Sequence, residues 1–119
     1  MKYSELAVEL DAAPALTTVY FQFAGVKRGV AEAISDQLKD AGYKMPGEER
    51  TANAAGKHEV RYFFAEDEAR ATRLVTDLNR GLDDAGYKAN VVAIDSTGFK
   101  AAKPRPGTIE LWLEPVRAP

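Results

Sequence analysis

A short internal repeat constrains the fold of this chain more than any other feature. The pentapeptide Asp-Ala-Gly-Tyr-Lys occupies positions 40–44 and recurs letter for letter at positions 84–88. Each copy ends a stretch with the apolar spacing of an amphipathic helix, and each stretch follows an apolar, aromatic-rich segment. The repeat therefore predicts two similar units, in which a strand leads into a helix that the pentapeptide closes.

The first unit begins with residues 17–23, where β-branched and aromatic side chains are typical of a strand. Gly42 is the predicted end of the following helix, because glycine adopts a left-handed conformation at little cost. A second, weaker strand is predicted over residues 43–45, where Pro46 and Gly47 bend or interrupt it. The helix itself is predicted from one apolar stripe: Val30, Ile34, Leu38 and Ala41.

The second unit follows the same plan. Residues 58–64 are the predicted strand, and residues 89–94 are the predicted returning strand. Acidic residues at 66–68 favour a helix start there, with Asp67 as the predicted N-cap, and Gly86 is the predicted end. The buried stripe of this helix is predicted to be Ala71, Leu74, Val75, Leu78, Leu82 and Ala85.

The rest of the chain adds a loop and one further strand. Residues 96–107 are rich in glycine, proline and lysine, which predicts a loop. Residues 108–114 alternate apolar and polar side chains, which predicts a half-buried strand. The complete order of elements is therefore β-α-β-β-α-β with an additional C-terminal strand.

This order predicts an α+β fold in which two helices cover one face of an antiparallel sheet. Two β-α-β halves of this kind form the ferredoxin-like two-layer sandwich, and another two-layer α+β sandwich with the same elements is the alternative. We expect one domain over residues 16–115 and a C-terminal tail over residues 116–119. Residues 1–15 are predicted to form an N-terminal arm or a short helix that uses Leu6 and Leu10.

Composition and charge exclude several classes of protein. Hydrophobic residues make up 45% of the 119 residues, which is enough for one folded domain and too much for a disordered chain. The absence of cysteine excludes disulfides, thiolate metal sites and a cysteine nucleophile. A net charge of −2 gives no overall attraction for phosphate backbones, so nucleic acid is not an expected partner. Since no apolar run is long enough to span a bilayer and acidic residues follow Met1 where a signal peptide is apolar, we expect a cytoplasmic protein.

The sequence does not indicate catalytic or metal-binding residues. His58 is the only histidine, and no acidic cluster at ligand spacing accompanies it, so we expect a solvated side chain rather than a ligand or catalyst. We therefore expect neither enzymatic activity nor a cofactor. Lys27 and Arg28, at the start of the first helix, form a candidate anion-binding pair, with a solvated helix start as the alternative.

The sheet surface that the helices leave open is the better candidate site. Alternate residues of a strand point to opposite sides, so residues between the inward apolar positions face outward. Exposed aromatic side chains beside an arginine are typical of interaction surfaces. The predicted outward set combines three aromatic and two polar side chains: Tyr20, Gln22, Arg61, Phe63 and Trp112.

Three interpretations of this surface remain open at the level of sequence. It binds a protein partner or a second copy of the chain, as the exposed aromatic residues favour. Alternatively, Leu6 and Leu10 of the N-terminal segment cover it. In the third interpretation its aromatic rings stack on sugars or bases.

Parts of both units resemble a known family. The segment Val19–Val26, the Asp-Ala-Gly-Tyr helix ends, the strand Glu59–Phe63 and the acidic helix start Glu66–Ala71 resemble the C-terminal domain of LytR-type cell-envelope proteins. Similar modules lie beside bacterial caspase-like domains. The resemblance covers roughly residues 19–94 and implies a bacterial ferredoxin-like module with a non-catalytic accessory role. The structurally related SPOR modules bind glycan strands across their sheet face.

We therefore expect a non-catalytic adaptor that binds a protein partner through the open sheet face, with a homodimer as one form of that binding. The alternative is a LytR-C/SPOR-like ligand-binding domain that recognises cell-envelope glycan or a small regulatory molecule.

Overall fold

A computed structural model describes residues 12–119, and over this range the chain has the predicted α+β class. The two units follow the predicted β-α-β order, and a fifth strand follows the second unit. The predicted N-terminal arm or helix lies outside the described residues, except for a 3-10 turn at Pro14–Leu16. The strands are β1 (Thr18–Phe23), β2 (Glu48–Arg50), β3 (His58–Tyr62), β4 (Val92–Asp95) and β5 (Thr108–Leu113), and the helices are α1 (Arg28–Asp40) and α2 (Glu68–Asp84).

The strands form one mixed sheet in the order β2-β1-β5-β3-β4. The two strands of each unit are neighbours and run parallel, β1 with β2 and β3 with β4. The last strand lies between the units, because β5 pairs in parallel with β1 and antiparallel with β3. The central strand of the sheet is therefore the last one in the sequence.

The ferredoxin-like strand order is not confirmed. In that arrangement each β-α-β unit is split by another strand, whereas here the two strands of each unit are adjacent. The burial of β5 explains its position, because Ile109, Leu111 and Leu113 are fully buried and such a strand is stabilised by a neighbour on each side. The short, charged strand β2 suits an edge, where one side of the backbone meets water.

Both helices pack against one face of the sheet, which we call the inner face. Side chains from the inner face and from both helices form a single hydrophobic core. The two helix stripes predicted from the sequence are largely buried, except that Ala41 and Ala85 are exposed because each follows the end of its helix. The inward-pointing residues of the three long strands are Val19, Phe21, Phe23, Val60, Tyr62, Ile109, Leu111 and Leu113.

The repeated pentapeptide closes both helices with the same geometry. Gly42 and Gly86 have positive φ angles of 104° and 84°, which confirms their predicted role as helix ends. In each copy the tyrosine amide donates to the carbonyl five residues earlier, the hydrogen bond that defines a Schellman motif. These bonds join Tyr43 to Leu38 at 3.0 Å and Tyr87 to Leu82 at 2.9 Å.

The segments that follow the two helix ends differ from the predicted strands. Lys44 makes only an isolated bridge to Thr18, and β2 begins after Pro46-Gly47. The returning strand of the second unit starts at Val92 rather than at residue 89, and Val91 just before it is bonded to the Asn79 side chain. Residues 86–88 pair with residues 116–118 of the predicted tail.

We expect Gly86→Ala to lower the free energy of unfolding by about 1 kcal/mol, because an alanine side chain disfavours the left-handed conformation. An added Cβ would meet only the flexible end of Arg117, so backbone conformation dominates the effect. Gly29→Ala is the control, since Gly29 lies within α1 and an added Cβ meets nothing within 4 Å. Urea denaturation of both variants measures the difference, and an equal loss at both positions would contradict this account.

The first pentapeptide also ties α1 to α2 through its tyrosine. The Tyr43 hydroxyl donates to Asp77 Oδ2 at 2.7 Å, and the Tyr43 residue is almost fully buried. Burial, together with this hydrogen bond and the charge of Asp77, raises the pKa of Tyr43 above its ordinary value near 10. The folded protein therefore keeps this proton at a pH where the unfolded chain loses it.

Stability should consequently fall as the pH rises above about 10, because the unfolded state then binds fewer protons than the folded state. Below that pH the contribution of Tyr43 is fully present. We expect Tyr43→Phe to lose stability at neutral pH and to show a smaller alkaline decrease than the unmodified protein. Tyr87→Phe, at the same place in the second repeat, should keep the alkaline decrease. Thermal unfolding from about pH 8 to about pH 11, a range that includes the ordinary tyrosine pKa of about 10, compares the three proteins.

Candidate functional site

The sheet surface away from the helices, which we call the outer face, carries the side chains predicted to point outward. Tyr20 is 42% exposed, whereas its neighbours Val19 and Phe21 are buried, so β1 alternates as predicted. Strand pairing places Trp112 of β5 between Gln22 of β1 and Glu59 of β3. In the next row the pairing places Glu110 between Tyr20 and Arg61.

Trp112 is the centre of a fixed polar and aromatic network. Its Nε1 donates to Glu110 Oε1 at 2.9 Å, which orients the indole ring. The Arg61 guanidinium lies 4.5 Å from the ring centroid, and the Lys57 ammonium lies 5.1 Å from it. The Arg61 Nε also donates to Glu59 Oε2 at 3.0 Å. Two carboxylates and two cations therefore surround one half-buried aromatic ring.

This network positions the ring more than it stabilises the fold. A cation over a partly exposed aromatic ring contributes about 0.5–1 kcal/mol, and a half-exposed ion pair contributes a similar amount or less. The Arg61–Glu59 pair has side-chain exposures of 25% and 28%, so water screens it. Since each contact is weak, the main effect of the network is to hold Trp112 in one orientation.

A groove of about 590 Å³ lies over this part of the outer face. Its floor is formed by strands β3 and β5, including Arg61 and Trp112. One wall is the segment between β4 and β5, which contributes Phe99 and Pro104. The groove combines an apolar wall with a charged floor, an arrangement that is common where proteins bind other molecules.

Phe63 does not form an exposed contact surface as the sequence predicted. It lies on the predicted side of the sheet, but only 4% of its surface is exposed. The ring of Phe99 covers it, with an edge-to-face geometry and centroids 5.8 Å apart. Phe99 is itself 50% exposed and takes the place of Phe63 at the surface. Sequence reasoning missed Phe99 because an irregular loop has no periodicity that shows which side chains point inward.

The wall of the groove is anchored by a fully buried carboxylate. Asp67 accepts hydrogen bonds from the Gly107 amide at 3.0 and 3.1 Å and from Arg70 Nη1 at 2.8 Å. Asp67 occupies the N-cap position of α2, but its side chain does not cap the helix, so the predicted capping role is wrong. It instead joins the beginning of α2 to the loop that leads into β5.

The structure divides the predicted binding residues between two places. Arg61 and Trp112 line the groove, together with the buried ring of Phe63. Tyr20 and Gln22 lie on the β2 side of the outer face and line a shallow depression of about 220 Å³. A partner that fills the groove therefore contacts the first group, and only a broader interface reaches the second.

The predicted anion-binding pair lies away from this surface. The Arg28 guanidinium donates to the Glu48 carbonyl at 3.0 Å and lies 5.3 Å from the ring centroid of Phe23. Arg28 is thus already bonded to β2 and packed on a residue of the inner face. Lys27 is exposed at the N-cap position of α1. The structure does not bring these two residues together with the outer-face groove.

His58 is half-buried rather than fully solvated, and its Nε2 lies 3.1 Å from the Glu114 carbonyl oxygen.

Among residues 12–119, no three acidic or histidine side chains lie close enough to hold a metal ion. Within the same range no helix is both long and apolar enough to cross a membrane. Comparison of the chain with protein-family models, curated proteins and solved structures gives no match.

We expect Asp67→Asn to lower the free energy of unfolding by about 3 kcal/mol, because it leaves the partly buried Arg70 without its charged partner. The matched control is Glu66→Gln, which removes the same charge from an exposed neighbour and should change stability by less than about 0.5 kcal/mol. Urea denaturation measures both values. Trypsin cleavage after Lys100 reports on the loop itself, and it should be faster in Asp67→Asn than in the control. Equal stability of the two variants would contradict the anchoring role of Asp67.

Proposed function

We propose that this chain is a non-catalytic adaptor module that binds a protein partner through the groove on its outer face. The observation that supports this most directly is the geometry of Trp112. The indole is half-buried at the floor of a groove of about 590 Å³ and is held in place by Glu110 and Arg61. A tryptophan beside an arginine, with both side chains already positioned, has the composition and rigidity of an interaction hot spot.

The groove offers complementary chemistry to an extended segment of a protein. Phe99, Ile94 and Pro104 form an apolar region that suits one or two hydrophobic side chains of the partner. Among residues 12–119 the Arg61 side chain donates to Glu59 through Nε, so within this range its two terminal nitrogens keep donors for carbonyl or carboxylate groups. Burial of this apolar region and of the accessible part of the indole supplies affinity, and the charged groups supply orientation.

A polypeptide partner fits this groove better than a stacked sugar or base. Stacking of either ring type uses an open face of an aromatic side chain. The cations of Arg61 and Lys57 already lie over the Trp112 ring and would compete for that space. A glycan ligand of the kind bound by SPOR modules is therefore the weaker proposal, and the experiment below distinguishes it.

The proposal predicts that peptides selected for binding to this protein use Trp112. A library of random linear peptides displayed on phage is selected against the full chain, and the recovered peptides are synthesised and titrated by fluorescence anisotropy. We expect Trp112→Ala to weaken binding by at least about 30-fold, the loss expected for a hot-spot residue. Phe99→Ala should weaken binding by a smaller factor, because Phe99 forms the wall rather than the floor.

Tyr87→Ala is the matched control, because Arg117 lies 4.5 Å from the Tyr87 ring centroid just as Arg61 lies 4.5 Å from that of Trp112. Tyr87 lines a groove between the helices, so its loss should leave peptide binding unchanged. Circular dichroism confirms that each variant is folded. Peptides that bind Trp112→Ala as tightly as the unmodified protein would overturn the proposal. Failure to select any peptide, combined with a thermal shift on addition of muropeptides, would replace it with glycan binding.

A further inference from the structure

The two edges of the sheet differ in how they are protected against pairing with another strand. The β2 edge, Glu48–Arg50, consists of charged residues only and follows Pro46, which are the usual features that discourage edge pairing. The β4 edge, Val92–Asp95, has neither lysine nor proline, and Val92 is 53% exposed. Among residues 12–119 no strand pairs with the outer side of β4, so this edge is open to an added strand, whereas charged residues and Pro46 protect the β2 edge.

The backbone groups that point away from the sheet on β4 are those of Ala93 and Asp95. The Ser96 amide donates to the Tyr62 carbonyl at 2.9 Å, which continues the parallel ladder between β3 and β4. Since alternate residues of a strand bond to the same neighbour, Val92 and Ile94 share the orientation of Ser96. Ala93 and Asp95 then direct their amide and carbonyl groups toward the open side.

The part of β4 that is available for pairing begins after Val91. The Asn79 side chain bonds both backbone groups of Val91, accepting from its amide and donating to its carbonyl, each at 3.0 Å. Val91 therefore has no backbone group left for an added strand. A strand that pairs with β4 can use Ala93 and Asp95 but cannot extend to Val91.

We propose that a second copy of this chain adds antiparallel to β4, with Ile94 facing Ile94 of the partner subunit on the two-fold axis. In this register Ala93 of each copy forms a hydrogen-bonded pair with Asp95 of the other, so every open backbone group of β4 is used. A register with Ala93 opposite itself would place Asp95 opposite Val91, whose groups are bound to Asn79. Shifting the pairing register by one residue would place the apolar side chains of the two copies on opposite faces of the joined sheet.

The side chains of β4 are self-complementary in this register. Val92 and Ile94 lie on the outer face, since they pair with Glu59 and Arg61, and the two isoleucines meet across the axis, where opposed Cα atoms approach closely. Asp95 lies opposite the small, uncharged Ala93 rather than opposite another carboxylate. A strand with one charged residue thus pairs with itself without like-charge repulsion, which is why a second copy is the occupant we propose.

This pairing goes beyond the proposed function, because it uses the sheet edge and does not depend on peptide binding in the groove. Two five-stranded sheets would join into one continuous sheet with both outer faces on the same side. Ile94 of β4 and Ser96, the residue after β4, also line the groove, so the two grooves would lie next to each other along the shared edge. We expect a weak dimer, because the paired strands are short and interfaces of small area bind weakly.

Substitutions at Ala93 with opposite charge test this register, because they should change dimerisation in opposite directions. Ala93→Lys places a cation opposite Asp95 of the partner subunit at two symmetric positions and should tighten the dimer roughly tenfold. Ala93→Glu places a carboxylate there and should weaken it by a similar factor. Ala93 is exposed, so both variants are expected to fold. Glu49→Lys on the guarded β2 edge is the control and should leave the equilibrium unchanged.

Sedimentation equilibrium of the full chain over a wide range of concentrations measures all four proteins. A protein that stays monomeric throughout would overturn the inference, and slow hydrogen exchange of the Ala93 amide in that monomer would show that another part of the same chain covers the edge. Weakening by both Ala93 variants would overturn the proposed register. Dimers that respond to neither variant would show association through another surface. Since peptide binding by Trp112→Ala is measured separately, failure of the dimer and failure of the groove proposal are distinguishable.

Discussion

The pairing of β5 with both repeated units is the interaction on which the rest of the structure depends. Within each unit the parallel strands pair with each other, but β1 and β3 are joined only through β5. The buried side chains Ile109, Leu111 and Leu113 also place β5 in the middle of the single core. Without this strand the sheet would be divided into two β-α-β units that contact each other only through their helices, each unit too small to bury its helix on a full sheet. The outer face exists as one surface for the same reason.

Local patterns predicted the elements of this fold but not the order of its strands. The apolar spacing and the two glycine stops placed both helices, because helix periodicity and C-terminal capping depend on neighbouring residues. Strand order depends on which distant segments bury the most apolar surface together, and alternation alone shows only that residues 108–114 form a strand. The charged edge strand β2 and the fully buried inner side of β5 carried a signal for their positions, which becomes clear once the pairing is known.

The candidate site was predictable where it lies on regular strands and not where a loop contributes to it. Two-residue alternation placed Tyr20, Arg61 and Trp112 on the outer side. The same rule placed Phe63 on that side, but it could not show that Phe99 of an irregular loop would cover it. The anchoring of this loop by Asp67 could not be predicted either, because the hydrogen bond from the Gly107 amide to Asp67 joins residues far apart in the sequence. The alternation of side chains along a strand therefore predicts on which face of the sheet a residue lies, whereas loop contacts determine whether that residue is accessible.

Strand β5 lies at the centre of the sheet but is the last strand in the sequence, and this has a consequence for biosynthesis. A ribosome synthesises both β-α-β units before Thr108–Leu113 has been made, so the nascent units wait with the inner edges of β1 and β3 unpaired. Pairing of Thr18 with Thr108 spans most of the chain, a high contact order that slows folding. During this interval the chain exposes strand edges that chaperones commonly protect. Completion of the sheet thus requires that its last strand has left the exit tunnel.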